Sequence, residues 1–271
     1  MQWAISGNIR RMRRKSFIGQ LVLVALGVEL LLFASFTSLQ LPTATLKNLE
    51  RFATLTAQEA IVYLPEHWRN EAVAQLPALS QPIAEVRFSP YVPLIPTALF
   101  LGYALGVPLG LLSAFGFLLL GLLGPQIGVL PFAAGGGFEY CRQPTFGYLL
   151  GITVAAWFSG RVTMSANTSL RQLLAVAGGL VFAHGFGLLY LLGGALGVLL
   201  FEGDAAYLKW QPWLFENIRN LSWYALPYDA VFALTLVGLG FPVRWLTSVL
   251  TAPDIAMRPK RKWQGQIEQV S

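Results

Sequence analysis

The sequence is poor in the residues on which most enzymes and soluble domains depend. Only 12% of its 271 residues are charged, and it holds two histidines and a single cysteine, Cys141. One cysteine cannot form an internal disulfide, and two histidines with one cysteine cannot make a common zinc site unaided. The Gly-x-x-x-x-Gly-Lys-Ser/Thr phosphate loop, His-Glu-x-x-His and Gly-x-Ser-x-Gly are also missing. We therefore expect a chain that is not an enzyme, does not hydrolyse ATP and needs no cofactor or metal.

Apolar residues are abundant instead. They make up 55% of the chain, the mean hydropathy is +0.57, and several uncharged runs are long enough to cross a bilayer. Five bases lie in Arg10–Lys15 and four in Arg258–Lys262. Such flanking clusters are typical of termini held at the cytoplasmic face, and they argue against a nucleic-acid partner. We predict a multi-pass protein of the cytoplasmic membrane, with a membrane domain at 17–250 between basic cytoplasmic ends at 1–16 and 251–271.

The fold class predicted from the apolar runs is an all-α integral membrane protein with six transmembrane helices. The run from Tyr91 to Leu123 is divided at Val107-Pro108, because one helix of that length would overshoot the bilayer by roughly 20 Å. Glu29, near the middle of the first helix, is expected to face the bundle interior. The predicted helices are Phe17–Leu39, Val92–Gly106, Leu109–Leu123, Phe146–Ser159, Leu173–Leu200 and Trp223–Leu250.

Residues 40–90, between the first two helices, have a different composition. They hold five acids, four bases and five prolines. Leu46, Leu49, Phe52 and Leu55 recur at helical spacing, which predicts an amphipathic helix over 44–62 on the outer surface. The segment is either a solvated connection or a lid.

The charge balance supports six spans with both termini inside. The inner segments then hold 12 bases against Asp254 and Glu268, whereas the outer segments hold 7 bases against 9 acids. This asymmetry follows the positive-inside tendency. An odd number of spans would put one basic terminus outside.

A glycine-rich stretch at 131–151 lies between two apolar runs and would face outward. Ionisable groups inside a membrane are costly, so each needs a partner or a function. A ligand pocket open to the outside and capped by this loop would supply both. A structural role is the alternative for Asp229, for which ligand contact is favoured, and for His184, and Tyr148 and Tyr190 could be interface tyrosines. The candidate ligand-binding residues are Gly136, Gly137, Glu139, Tyr140, Arg142, Thr145, Tyr148, His184, Tyr190 and Asp229.

An intramembrane enzyme is the alternative from another functional class. Ser159, His184 and Asp229 could form a hydrolytic triad, but their spacing matches no known signature. A non-catalytic membrane scaffold is a third hypothesis.

The glycine-rich stretch carries a family resemblance. Leu130–Gly137, LPFAAGGG, is similar to a Pro-Val-Phe-Ala-Gly-Gly loop, and Pro144–Gly151, PTFGYLLG, is similar to the Pro-Thr-Gly-Gly-Tyr-Leu-Leu-Gly segment that follows it. The chain thereby resembles the BioY family, the biotin-specific substrate-binding (S) components of energy-coupling-factor (ECF) vitamin transporters. Further similar segments are Val92–Thr97, Leu118–Gly124, Gly187–Gly193 and Leu226–Asp229.

The resemblance implies a six-helix S component that binds biotin on the outer side, beneath the loop between helices three and four. It also implies partners, namely a transmembrane coupling subunit and two ATPase subunits that alone use ATP. An S component for another small vitamin is the nearest alternative. The family often has a basic residue one turn after the helix-six aspartate, where this chain has Phe232, and the 40–90 insert is long for the family.

Biotin suits the polar residues of the predicted pocket. Its carboxylate needs a cation, and Arg142 is the only base among the candidates. Asp229 or Glu139 can accept from the two ureido N–H groups, and Tyr148, Tyr190 or His184 can donate to the ureido carbonyl. A buried N–H left unpaired costs about 1–3 kcal/mol, so such a site would reject vitamins that lack the ring.

Overall fold

The computed structural model describes residues 17–130, 132 and 135–251; the predicted basic ends, 1–16 and 252–271, and loop residues Pro131, Ala133 and Ala134 lie outside that range. The described chain contains ten α-helices and one two-stranded sheet. In order they are α1 (Phe17–Phe36), β1 (Leu39–Pro42), α2 (Leu46–Ile61), α3 (Glu66–Gln75), β2 (Phe88–Tyr91), α4 (Leu94–Leu105), α5 (Val107–Leu123), α6 (Phe146–Thr163), α7 (Ser169–Glu202), α8 (Asp204–Ile218), α9 (Leu226–Leu239) and α10 (Phe241–Leu250).

The pair α4 and α6 forms the centre of the bundle, with α1, α5, α7 and α9 packed around it. A Cβ atom at Gly102 of α4 would lie 2.0 Å from the carbonyl oxygen of Ala156 in α6, so the two backbones touch there. At Gly151 of α6 a Cβ atom would lie 2.5 Å from the carbonyl oxygen of Ala183 in α7. Small residues permit this close approach between membrane helices.

Three described helical segments are long and apolar enough to cross a bilayer: Phe17–Phe36, Val107–Ile127 and Ser169–Glu202. A fourth results if Leu208–Leu239 and Phe241–Leu250 count as one bent span. The 12 residues of α4 extend about 18 Å, less than the hydrocarbon core of about 30 Å. The chain is a multi-pass membrane protein, whereas the six-span count and the cytoplasmic position of both termini stay predictions.

Glu29 does not have the environment predicted for it. α1 buries Leu23, Gly27 and Leu31 in the bundle, and a Cβ atom at Gly27 would lie 2.3 Å from the Ser113 hydroxyl of α5. Glu29 lies on the opposite side of α1 and is exposed. The prediction of an inward carboxylate was wrong because hydropathy indicates that a run is a helix without indicating which of its faces is packed.

Residues 39–91, which we call the outer insert after the membrane side predicted for them, contain the predicted amphipathic helix as α2. The insert also contains a second helix, α3, which was not predicted, and it is closed by an antiparallel pairing of β1 with β2. Leu39 lies opposite Tyr91 and Pro42 opposite Phe88. The all-α prediction therefore overlooked a small sheet. Strands of four residues that pair across residues 43–87 leave no local turn signal in the sequence.

The segment 201–222, predicted as an outer connection, is largely helical. α7 turns at Gly203, whose φ of +85° few other residues adopt, into α8. A five-residue π-helical turn, Arg219–Trp223, then joins α8 to α9. α7 and α8 are consequently consecutive helices that pack against each other.

The last predicted helix, Trp223–Leu250, is divided at Gly240, where the chain bends by 53°. A Cβ atom at Gly240 would approach ring carbons of Phe100 and Tyr103 to 2.9 and 3.0 Å, so this position packs tightly against α4. Pro242 follows in the first turn of α10, where its missing N–H costs no helical hydrogen bond.

Candidate functional site

Asp229, in the first turn of α9, is the centre of a run of buried hydrogen bonds. It is 1% exposed, and its Oδ1 accepts a hydrogen bond of 2.7 Å from the Tyr91 hydroxyl. Its Oδ2 lies 3.2 Å from Nε2 of His184, and the Nδ1 of that ring lies 3.2 Å from the Ser222 hydroxyl. The Ser222 and Tyr148 hydroxyls are 2.7 Å apart. We call these five residues the buried polar chain.

Five different elements supply the buried polar chain. Tyr91 ends β2, Asp229 lies in the first turn of α9, and His184 lies in the middle of α7. Ser222 belongs to the π-helical turn, a local widening that often marks functional sites. Tyr148 lies in the first turn of α6, against Gly187, where a Cβ atom would be 2.5 Å from the tyrosine ring.

The direction of the hydrogen bonds follows from the chemistry of the groups. Burial raises the pKa of the Tyr91 phenol, and the charge of Asp229 raises it further, so Tyr91 stays protonated and donates to the carboxylate. A neutral His184 that donates from Nε2 to Asp229 accepts at Nδ1 from Ser222. Every polar group of the chain then has a partner, as buried polar groups require.

Residues 135–145 of the glycine-rich stretch, which we call the glycine loop, form a second group, packed on the end of α5. Gly136 and Gly137 have φ values of +93° and +88°, and Gly137 N–H donates to the carbonyl oxygen of Gly121 at 2.9 Å. A Cβ atom at Gly136 would lie 2.5 Å from the same oxygen. Glycine is therefore required at Gly136 by both backbone angle and space.

Two tyrosines fasten the loop to the helices beside it. The hydroxyls of Tyr140 and Thr145 are 2.8 Å apart, and Tyr190 of α7 donates to the carbonyl oxygen of Cys141. Burial raises the pKa of the Tyr140 phenol, and the bond to Thr145 offsets part of that rise. These contacts hold the short 3-10 turn at Phe138–Arg142 against α6 and α7.

Glu139 and Arg142 lie on the outside of the loop. Their side chains are 82% and 83% exposed and form an ion pair with an N–O distance of 2.8 Å. The predicted pocket residues thus fall into two groups. Tyr148, His184 and Asp229 are bonded together in the buried polar chain, whereas Gly136, Gly137, Glu139, Tyr140, Arg142, Thr145 and Tyr190 build or attach the loop.

Sequence reasoning missed Tyr91 and Ser222. Tyr91 is separated from Asp229 by 138 positions, and Ser222 is separated from His184 by 38, so neither contact follows from a local pattern. The available signal was the isolated Asp229 and His184 in apolar helices, because such groups require hydrogen-bond partners. That signal indicates that partners exist without naming them.

A separate cleft of about 550 Å³ opens beside α8 and the π-helical turn. None of the ten predicted site residues lines it, although Ser222 belongs to the same turn. Its lining residues are Pro212, Phe215, Glu216, Ile218, Arg219 and Trp223.

Comparison with known proteins identifies the family. Sequence comparison with curated proteins gives no match. Among solved structures, the chain is similar to one described as the "Crystal structure at 2.1 A of the S-component for biotin from an ECF-type ABC transporter", with 17% identity, a TM-score of 0.48, and coverage of 85% of this chain and 92% of that chain. The model of the BioY family matches residues 73–244, more than half of the chain. The chain therefore belongs to the BioY family.

Proposed function

We propose that the chain is the biotin-binding S component of an ECF-type transporter and captures biotin on the outer side of the membrane. Family membership is the observation that carries this proposal, since the matched residues 73–244 include all five members of the buried polar chain. The same range contains the whole glycine loop, whose sequence resembles that of the biotin-specific S components.

The buried polar chain suits the ureido ring of biotin. Asp229 supplies two carboxylate oxygens that accept from ureido N–H groups. Tyr148, whose hydroxyl is bonded to Ser222, is the proposed donor for the ureido carbonyl, and His184 could donate there only by giving up its bond to Asp229. Because these groups are buried, a ligand that lacked the matching N–H groups would leave a polar atom unpaired at about 1–3 kcal/mol, a factor of roughly ten to a hundred in affinity.

Arg142 is the proposed contact for the biotin carboxylate. In the structure it is paired with Glu139 at the surface, where an exposed ion pair is worth only about 0–1 kcal/mol. Replacement of the Glu139 carboxylate by a ligand carboxylate as the ion-pair partner of Arg142 therefore costs little free energy, and movement of the glycine loop would bring the guanidinium over the site. The loop then acts as the cap of the pocket.

Delivery to the cytoplasm is proposed to need a transmembrane coupling subunit and two ATPase subunits. The chain has no phosphate loop of its own, so the energy of ATP must enter through partner chains. The bilayer of the cytoplasmic membrane is the proposed location, with the glycine loop and the outer insert on the outer side.

A hydrolase is the alternative function to be tested against the geometry of the site. Ser222, His184 and Asp229 form a serine–histidine–aspartate series, whereas Ser159, the serine considered from the sequence, donates to the carbonyl oxygen of Leu99 at 2.8 Å. The Ser222 hydroxyl is bonded to Tyr148 and the residue is 8% exposed, so it is poorly accessible to a substrate. BioY proteins are transporter components, and this chain is not an enzyme.

Equilibrium binding to the purified full chain tests the proposal. We expect labelled biotin to bind below micromolar concentration, thiamine and riboflavin to bind far more weakly, and the bound biotin to be recovered unaltered. Absence of biotin binding below micromolar would contradict the proposal. Preferential retention of another vitamin would support the alternative S component, and chemical turnover would support an enzyme.

A further inference from the structure

Tyr91 belongs to the outer insert, yet its hydroxyl bonds the carboxylate at the centre of the site. It is the last residue of β2 and donates to Oδ1 of Asp229 at 2.7 Å. Its ring stacks on Phe232, with ring centroids 5.5 Å apart and planes inclined by 14°. The insert therefore reaches into the buried polar chain through one side chain.

The other strand of the sheet is fastened to the same helix. Tyr228, the residue before Asp229, donates its hydroxyl to the carbonyl oxygen of Pro42 in β1. Above the sheet, Asn48 of α2 closes the insert, since its Nδ2 donates to the carbonyl oxygen of Arg87 at 2.8 Å and its Oδ1 accepts from Arg87 N–H at 2.9 Å. The sheet and the start of α2 are thus tied together, and both strands are attached to α9 beside Asp229.

Both oxygens of Asp229 already have donors. Oδ1 accepts from Tyr91 and Oδ2 from His184, so a ligand N–H must displace one of them or share an oxygen. His184 lies in the middle of the 34-residue α7, which packs along α6, and is also bonded to Ser222. Tyr91 lies at the end of a four-residue strand. Tyr91 is therefore the donor that can leave with least disturbance.

We propose that Tyr91 competes with the ligand for Asp229, so that ligand binding releases the end of β2 from Asp229 while Tyr228 still holds β1 on α9. This inference rests on the proposed function and adds a specificity-determining residue to it. In the empty site the phenol keeps the buried carboxylate paired. Only a ligand whose N–H groups replace the Tyr91 hydroxyl at Asp229 binds tightly, and its binding frees Tyr91 at the end of the outer insert.

Removal of the hydroxyl tests the competition. In Tyr91→Phe the ring can still stack on Phe232, but the empty site leaves Oδ1 of Asp229 without this donor. We expect biotin to bind roughly tenfold more tightly, because a hydrogen bond to a charged group no longer has to be broken. Tyr103→Phe is the matched control: Tyr103 lies at the other end of α4, is 0% exposed and donates its hydroxyl to Asn167, so removal of that hydroxyl should leave affinity unchanged.

Amide hydrogen exchange on the wild-type chain gives a second readout that does not depend on a variant. Biotin should increase exchange around β2 (Phe88–Tyr91) while it lowers exchange around His184 and Asp229. In Tyr91→Phe, exchange around β2 should already be high without biotin. Unchanged or weaker binding by Tyr91→Phe, or greater protection of the sheet on biotin binding, would overturn the competition. Failure of the wild type to bind biotin would instead overturn the proposed function.

Discussion

Three members of the buried polar chain, Tyr148, His184 and Asp229, were predicted to share one pocket with the glycine loop, and the structure gives the two groups opposite environments. The buried polar chain is shielded from solvent: Asp229 and His184 are 1% and 6% exposed, and each is hydrogen-bonded to two other members. The loop presents Glu139 and Arg142 to solvent as a pair of weakly held charges. A polar group buried in an apolar bundle needs a hydrogen-bond partner even without ligand, whereas a polar group at the surface is hydrated by water. Under the proposed function, the buried polar chain recognises the ureido ring and the exposed charges of the loop are available to the ligand carboxylate.

The largest expected effect comes from the centre of the buried chain. Asp229→Asn keeps the shape of the side chain but replaces one acceptor oxygen by a donor NH₂, which meets either Tyr91 or His184. We expect biotin affinity to fall roughly a hundredfold, since a hydrogen bond to a charged group contributes about 1.5–3 kcal/mol. Equilibrium binding measures this loss. Asp204→Asn, an exposed acid at the start of α8, is the control that should bind normally; equal affinity in the two variants would remove Asp229 from the site.

The next effect concerns the shape of the loop and not its charges. Gly136→Ala puts a Cβ atom 2.5 Å from the Gly121 carbonyl oxygen at a φ of +93°. We expect the free energy of unfolding to fall by about 1–3 kcal/mol, because both the backbone and the loop must shift. Thermal unfolding of the purified chain measures it. Gly185→Ala, at a helical position where the added methyl meets no neighbouring helix of the described chain within 4 Å, should not lower the free energy of unfolding. A Gly136→Ala chain as stable as the wild type would show that the loop is not held on α5 as described.

Arg142→Ala separates ligand contact from stability. The side chain is 83% exposed, so its loss should leave thermal unfolding unchanged within about 1 kcal/mol. If the guanidinium binds the biotin carboxylate, affinity should fall roughly tenfold. Biotin amide, which lacks that carboxylate, should bind both chains equally. Identical biotin affinity in wild type and Arg142→Ala would leave the loop without a role in charge recognition.

The smallest effect is expected from the partner of Arg142. Glu139→Gln releases the guanidinium from its surface ion pair, so biotin affinity should rise by less than about threefold. The rise should shrink as salt is added, because exposed charges are screened. Titrations at low and high ionic strength measure both quantities. A clear fall in affinity would mean that Glu139 itself contacts the ligand.

Local features of the fold were predictable. The apolar runs indicated helices that agree with α1, α4, α5, α6 and α7 within a few residues at most ends, and the spacing of Leu46, Leu49, Phe52 and Leu55 indicated α2. The glycine-loop motif indicated the BioY family, which the family model confirmed. Each of these signals lies within a short stretch of chain, where hydropathy and spacing report directly on structure.

Other features depended on contacts between distant residues. The pairing of β1 with β2, the bend at Gly240 and the exposure of Glu29 are set by what packs against each segment. The sequence offered Tyr91 and Ser222 no distinction from other interface residues, because their partners lie 138 and 38 positions away.

What the sequence alone determined was a helical membrane protein, its glycine loop, its family and the two isolated ionisable residues Asp229 and His184. What only the tertiary structure decided was how those residues are satisfied. Burial in an apolar bundle makes an unpaired carboxylate costly, so the fold must supply donors, and it supplies Tyr91 from a strand outside the membrane helices and His184 from within them. The amino-acid composition shows that the buried carboxylate needs hydrogen-bond donors, and the packing of α6, α7, α9 and the outer insert determines which residues provide them.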